Sequence, residues 1–482
     1  MHTTNLDKNQ VQSAMLPILM GFSELSRSLG ARHFSFSENS GFTSVAIDSR
    51  VVQDGALFFA IKGTSCDGHE HVVSAFNAGA RGAMVEASKL DAYDLVNTAK
   101  KMRKDLIVVK NTLQGLQDAA RVYLEKFPYL KKIGITGSCG KTTTKEITAA
   151  IISCDKNTVM NKGNLNSETG LPLSVFEVRS HHEVGVFELG MNRPGEISEI
   201  ASVLKPNIAL VTNIGTAHIE YFGLKEKILN EKKCIYNYLK KDDVALVPAN
   251  DEYAYALADG VMGNIRFYAA EKFDEFEGTR SLGLKGTEIT WAGEKINFAL
   301  PGKHCLEDAM AAIAIAKEIP VSNKAIKQGL ESVKPLFGRL EILNGRTTVI
   351  RDCYNASPES TAKSIEFCDS LEWQGRKVYV IADMLELGDA SFSEHKKIGE
   401  ILSKSRAHVF LFGKEINAAA HCMADNGKSF FYTNEIDDLS CALDNFVKAE
   451  DIVLLKGSRG CALERLTPIL AGNTSMGENY VS

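Results

Sequence analysis

IGITGSCGKTTTKE, residues 133–146, sets a β-branched run, a tight glycine turn and a Lys-Thr pair in immediate succession. A strand feeding a glycine loop and then a helix is phosphate-binding architecture. In the turn Gly137-Ser138-Cys139-Gly140 the backbone N–H groups can point at a phosphate, Lys141 supplies a charge for the β and γ oxygens, and Thr142 offers a hydroxyl to magnesium. Thr143 continues a helix whose positive dipole end faces the same place. The usual GxxxxGK[ST] spacing would put the first glycine at position 135, but that residue is Ile135 and Gly134 falls one place early. A glycine turn with no ligand is the competing reading.

Outward from this loop, strand-like and helix-like segments alternate. Thr158 to Asn161, Val184 to Leu189, Ile208 to Asn213 and Val244 to Pro248 are strand-like, each followed by a helical pattern, which predicts a doubly wound, mostly parallel central sheet. Lys303 to Ile319 is a strongly apolar helix, and the polar stretch through Lys334-Pro335 marks a boundary. Alternation resumes at Val378 to Ala382, Val409 to Phe412, Phe430 to Thr433 and Ile452 to Leu455, so the last domain is read as Rossmann-like α/β. Before the loop, Thr43 to Ile47, Leu57 to Ile61 and Leu106 to Val109 read as short strands of a small α/β module, and a helix from Leu113 to Phe127 leads to Pro128. The expected domains are 1–112, 113–334 and 335–482, three in keeping with a length of 482 residues.

A formal net charge of -5 argues against a general nucleic-acid or anionic-membrane binder. The ten cysteines are scattered singly, without Cys-x-x-Cys pairs or histidines at zinc spacing, which fits a reduced, cytoplasmic protein. The apolar run around Ala14 to Phe22 is broken by Pro17 and Gly21 and lacks a basic flank; no stretch reaches the roughly 18 residues that span a bilayer. No export or anchoring is expected.

Ligand groups in open α/β sheets collect at the carboxyl ends of strands. Glu188 lies there in the apolar context VGVFELG, where an ionised carboxylate needs a metal or a partner such as arginine. His218 follows the next strand in GTAHIEYFG, as a site residue or a structural one. On the following helix, at 100° per residue from Ile228, Lys232 falls at about 40°, in the middle of the apolar face made by Leu229, Ile235, Tyr236 and Leu239. Lys233, at about 140°, lies at its edge. An inward lysine loses solvation and its neutral amine becomes available for chemistry; the alternative is a lysine snorkelling from the face.

These residues resemble one family in particular, the UDP-N-acetylmuramoyl-tripeptide:D-alanyl-D-alanine ligases among the Mur ligases, over nearly the whole chain. The phosphate loop has the form Gly-Ser-x-Gly-Lys-Thr-Thr of that superfamily. The resemblance implies that Lys232 is carbamylated by carbon dioxide and, with Thr142, Glu188 and His218, belongs to the magnesium sites. GNLNSETGLPL, with Asn164 and Asn166, is similar to the family's nucleotide-side loop. SVAIDSR, GALFFAIKG and DGHEH resemble its uridine-nucleotide module, so Ser49 and Arg50 would meet the UDP-sugar beside loops at Lys62-Gly63 and Asp67-Gly68-His69. FGRLE and DCYNASPES bring Arg339 and Asp352 toward ATP from the last domain, while Tyr354, Asn355 and Ser357 with ADMLELGD (Asp383, Glu386) resemble the dipeptide side. KGSRG closes the set at Lys456 to Gly460, and the Asp-Asn-Pro-Arg motif of the diaminopimelate-adding ligase is absent. One departure stands out. The pattern Gly-x-His-Asn-x-x-Asn reads Gly302-Lys303-His304-Cys305-Leu306-Glu307-Asp308, and neither a thiol nor an ionised carboxylate can both donate and accept as an amide does, so His304 keeps its expected place at ATP while adenine must be held differently.

The resemblance implies an ATP- and magnesium-dependent amide ligase, acting as a monomer on UDP-N-acetylmuramoyl-tripeptide and D-alanyl-D-alanine through an acyl phosphate, with domain closure excluding water. A folylpolyglutamate-synthase-like ligase is the nearest alternative, disfavoured by the SVAIDSR module. A P-loop switch is another, but it needs neither an inward lysine nor two further domains.

Overall fold

The phosphate-loop strand, Lys131–Thr136, stands inside a six-stranded, wholly parallel sheet. The computed structural model describes residues 17–38, 41–64 and 66–472, so the beginning of the apolar run at Ala14 lies outside the described residues. In spatial order the strands are Asn264–Tyr268, Val244–Pro248, Ile208–Val211, Lys131–Thr136, Val184–Glu188 and Thr158–Met160. From Lys131–Thr136 the chain first builds toward the Thr158–Met160 edge and then returns to build toward the other. That reversal opens a crevice at the carboxyl end of the phosphate-loop strand, between Glu188 and Val211. The inner strands Val184–Glu188, Ile208–Val211 and Val244–Pro248 are buried on both faces, which is why they read as continuous apolar runs rather than as alternation.

Two helices line this crevice. Lys141–Ile152 starts on the phosphate loop and buries Ile147, Ile151 and Ile152, while Lys303–Lys317 buries its alanine-isoleucine run against the sheet. A three-stranded antiparallel sheet, Phe276–Ser281, Thr287–Trp291 and Glu294–Phe298, lies outside the sequence expectation. Its second hairpin turns at Ala292-Gly293, both with positive φ, and Ala-Gly is a weaker signal for such a turn than Asn-Gly.

The C-terminal sheet runs Glu341–Asn344, Thr348–Asp352, Ile452–Lys456, Lys377–Ala382, His408–Phe412 and Phe430–Thr433, parallel except at the Glu341–Asn344 edge. Asp352 and Lys456 end neighbouring strands in register. Together with the central sheet it forms one compact unit, residues 129–167 and from 179 onward.

The other unit holds the described residues up to Pro128 together with 168–178. Its sheet runs Arg32–Phe34, Asp105–Val109, Gly82–Glu86, Ala56–Phe59 and Ser44–Ala46, antiparallel only at the first pairing. The unit passes the expected boundary at 112 because the helix Thr112–Leu124 is packed into it. The Thr112 hydroxyl donates to the Ala60 carbonyl at 2.9 Å, Leu116, Ala119 and Ala120 are buried, and the Tyr123 hydroxyl donates to the Val178 carbonyl at 2.7 Å.

Candidate active site

The phosphate loop is held by the strand beside it. The amide of Cys139 donates to Asn213 Oδ1 at 3.0 Å, Asn213 Nδ2 returns a bond to the Cys139 carbonyl at 3.1 Å, and the amide of Ser138 donates to the Asn213 carbonyl at 3.0 Å. Ser138 Oγ accepts from the Gly215 amide at 2.7 Å, so this side chain anchors the loop. Gly137 and Gly140 both have positive φ, and a Cβ at 137 would overlap Thr212 Oγ1; the turn requires glycine at both places. Lys141 Nζ donates to the carbonyls of Gly137 at 2.9 Å and Ser138 at 3.3 Å, with its pKa lowered by burial.

Glu188 is buried, and its partners are not arginines. One carboxylate oxygen accepts from the Thr142 hydroxyl at 2.8 Å, the other from Asn166 Nδ2 at 2.7 Å. Asn161 clamps its backbone, accepting from the Glu188 amide at 2.9 Å and donating to the Glu188 carbonyl at 3.1 Å, while buried Lys145 donates to the Asn161 carbonyl at 2.7 Å. A hydroxyl and a carboxylate are thereby aimed at one point beside the loop.

Lys232 points inward, as the helical spacing predicts. It is 1% exposed and donates to the Gly137 carbonyl at 2.9 Å with Met191 Sδ at 3.6 Å. Burial, reinforced by the charge of Lys141, pushes its pKa well below the ordinary lysine value. His218 has a left-handed backbone, φ 66°, and its Nδ1 lies 2.6 Å from Glu386 Oε2 of the C-terminal sheet; Glu386 is itself left-handed at φ 64°. Two strained residues facing each other across 2.6 Å are held by their surroundings, a condition found at functional sites. Burial lowers the His218 pKa against the pull of Glu386, whose carboxyl is lowered by the nearby imidazole.

The C-terminal sheet closes the cleft. Arg339 donates to Thr142 Oγ1 at 3.0 Å and stacks its guanidinium 4.3 Å from the Tyr354 ring centre. Asp352 accepts from Ser364 Oγ at 2.6 Å and pairs with buried Lys456 at 3.0 Å, and Lys456 also donates to the Asn355 carbonyl at 2.9 Å. Ser357 caps the helix Pro358–Ser370 and lies 3.2 Å from Cys139 Sγ. Glu359 accepts from the Thr216 amide at 2.8 Å. Thr143, His304 and Asp308 also line the cleft, with the His304 imidazole pushed down to about 4 by burial. Asp383 is the residue expected on the dipeptide side from the motif ADMLELGD. Its carboxylate accepts from the amides of Ile416 at 2.8 Å and Lys414 at 3.0 Å, so it braces its own domain. Asn161, Asn213 and Glu359 carry no local sequence signal, because their partners are distant in the chain.

In the other unit, Ser49 and Arg50 form an exposed turn capped by Asp48, which takes the Arg50 guanidinium at 2.6 Å and is thereby held down to about 2. Lys62 and Asp67 pair through their backbones as an isolated antiparallel bridge, and the Gly63 amide donates to the Cys66 carbonyl at 2.9 Å. His69 is buried with both nitrogens engaged. Nε2 accepts from the Glu86 amide at 2.9 Å, which leaves Nδ1 to donate to Asp67 at 2.6 Å. Lys89 takes the other Asp67 oxygen at 2.7 Å, and these bonds hold Asp67 below the usual carboxylate range although burial opposes them. Gly68 approaches the backbone of Ile61 too closely for a Cβ. Asp67, Gly68 and His69 therefore fix a loop, while the exposed Arg50 guanidinium is engaged by Asp48.

Comparison with known proteins bears on this arrangement. Family models match in three consecutive stretches, the Mur ligase family catalytic domain at 41–123, the Mur ligase middle domain at 135–316 and the Mur ligase glutamate ligase domain at 338–459. A protein of Treponema pallidum named UDP-N-acetylmuramoyl-tripeptide–D-alanyl-D-alanine ligase is 38% identical over 94% of this chain and 99% of its own length. The chain belongs to the Mur ligase family. Among solved structures, this Mur ligase is similar to MurF from Acinetobacter baumannii (28% identity, TM-score 0.83, covering 93% of this chain and 97% of that one). It is also similar to a MurF ligase from Thermotoga maritima solved in complex with ADP (26% identity, TM-score 0.75, covering 89% and 97%). As a Mur ligase it is an ATP-dependent ligase, and its three family domains account for the wholly parallel central sheet and the two sheets with one antiparallel edge.

Proposed function

We propose that this Mur ligase joins D-alanyl-D-alanine to UDP-N-acetylmuramoyl-tripeptide, as a monomer in the cytoplasm, through an acyl phosphate. The observation that carries the reading is the meeting of Lys141, the Thr142–Glu188 pair and Arg339 at one phosphate loop, from two sheets. Lys141 and the loop amides would hold the nucleotide phosphates while the tripeptide carboxylate attacks the γ-phosphorus and ADP leaves. The dipeptide amine would then add to the acyl carbon, and the tetrahedral intermediate would release phosphate. Arg339, stacked on Tyr354, is placed to balance charge developing on the transferred group.

The donor set suits magnesium. Thr142 and Glu188 offer hard oxygens 2.8 Å apart, and among the described residues no three His, Cys, Asp or Glu side chains gather as a metal cage, which fits a cation held partly by substrate phosphates. Magnesium supplies charge neutralisation on the phosphates. Thr142, Glu188, His218 and Lys232, the last as a carbamate, would hold it.

Phosphate release should require both the UDP-linked tripeptide and the dipeptide. Release with a folate and glutamate, or with neither co-substrate, would overturn the reading in favour of another ligase or a nucleotide switch. Tripeptides ending in lysine, diaminopimelate or ornithine, run side by side, identify the third residue. Replacing Ser49 and Arg50 together by alanine is expected to raise KM for the UDP-tripeptide about tenfold while leaving KM for ATP nearly unchanged, since a lost exposed donor removes uniform binding. Equal rises for both substrates would take this turn out of uridine-nucleotide recognition.

A further inference from the structure

Asp308 occupies the second turn of the helix Lys303–Lys317 and meets the phosphate loop from behind. Its side chain is 8% exposed and packs against Gly140 so closely that a Cβ at 140 would overlap Oδ1. The hydrogen-bond partner is the fully buried Thr144 hydroxyl, 3.4 Å from the same oxygen. The charged and titratable groups that face it are Cys305 and Glu307 on its own helix, Lys363 and Arg339 from the C-terminal domain, and Tyr268 from the central sheet. None of the cations is free to neutralise it. Lys363 is paired with Glu307 at 2.6 Å, Arg339 is turned to Thr142, and among the described residues no ion pair is made with Asp308.

A bare carboxylate here would lack a counter-charge and would lie directly behind the glycine whose N–H side is read as the nucleotide phosphate cradle. Both features disfavour ionisation, and burial, with Glu307 adding to it, pushes the Asp308 pKa well above the ordinary carboxyl value. A protonated carboxyl has the shape of an amide, with one donor and one acceptor, and the family pattern has an amide at this position.

We propose that Asp308 serves this enzyme as a neutral carboxylic acid, an amide-shaped brace behind Gly140 that keeps the phosphate loop in its nucleotide-binding form. It is a positioning residue and touches no reacting atom. The inference rests on the reading of the loop as the nucleotide site, and its test separates the two. The infrared difference between wild type and Asp308→Asn at neutral pH should contain the carbonyl stretch of a protonated acid. By calorimetry, Asp308→Asn should bind MgADP within a few-fold of wild type, whereas Asp308→Ala should weaken it about tenfold. Only an ionised-carboxylate band, or a folded Asp308→Asn variant as weak as Asp308→Ala, would overturn the proposal. Failure of the wild type itself to bind MgADP would sink the nucleotide-site reading instead, and the infrared band would still decide the protonation of Asp308. Should Asp308→Ala not fold, the asparagine variant and the band suffice.

Discussion

Lys232→Ala is expected to lower kcat on the order of 10²–10³-fold, and formate or acetate is expected to restore part of it. Lys232 is fully enclosed, its nitrogen meets a carbonyl and a thioether, and among the described residues no carboxylate pairs with it. An ammonium there is poorly compensated, so the amine is favoured, and burial lowers its pKa accordingly. A neutral amine is the form that adds to carbon dioxide. The nitrogen forms a bond to carbon as one C–O π bond opens, one proton is released, and the side chain ends in a carboxylate whose two oxygens share one negative charge, the kind of ligand magnesium takes. A small carboxylate diffusing into the space vacated in the variant would return those oxygens. Lys233 offers the control. It is directed away, donating to the Ala256 carbonyl at 2.7 Å, and Lys233→Ala should change kcat little. Equal losses in both variants without rescue would make Lys232 structural, and a crystal structure of the active enzyme should show whether the side chain carries the carboxyl group.

How far the sequence alone leads can be judged at particular residues. The strand Val244–Pro248 agrees with its expected bounds because it is buried on both faces and reads as a continuous apolar run ended by turn residues, and the half-buried edge strand Phe430–Thr433 keeps its bounds as an aromatic run between Lys428-Ser429 and Asn434-Glu435. Lys232 was legible because a single helix carries both the lysine and the apolar face that buries it. The antiparallel hairpin at 287–298 was not, since its turn lacks the Asn-Gly signal and its strands pack on helices distant in the chain. Nor were the contacts that complete the cleft. His218 meets Glu386, Thr216 meets Glu359 and Cys139 meets Ser357 across two domains, and no local spacing encodes such pairings. Asp383 marks what a motif leaves open: it lies just past the strand Lys377–Ala382, and its carboxylate is taken by two backbone amides 31 and 33 residues away in the chain.

Lys141→Ala is expected to cost at least about 10³-fold in kcat, the range seen when a phosphate-stabilising charge is lost from a transfer site. The same change should leave the fold intact and slightly more stable. Among the described residues Lys141 bonds only to two carbonyls of its own loop, and burial lowers its pKa, so the folded protein carries a cation that it solvates less well than water does. The sign follows from linkage. With the folded pKa below the unfolded one, the unfolded chain binds more protons between the two values, and stability rises with pH across that window. The penalty is therefore full below the folded pKa and gone above the ordinary lysine value. Melting temperatures of Lys141→Ala should exceed wild type at neutral pH, and the difference should shrink as the pH is raised into the alkaline range. Added MgADP should reverse the order, because bound phosphate supplies the counter-charge and stabilises only the protein that retains the lysine well. A variant that keeps near-wild-type turnover while folded would remove the phosphate-loop assignment. One that loses stability at neutral pH would show that the loop carbonyls, rather than the nucleotide, are what this lysine is kept for.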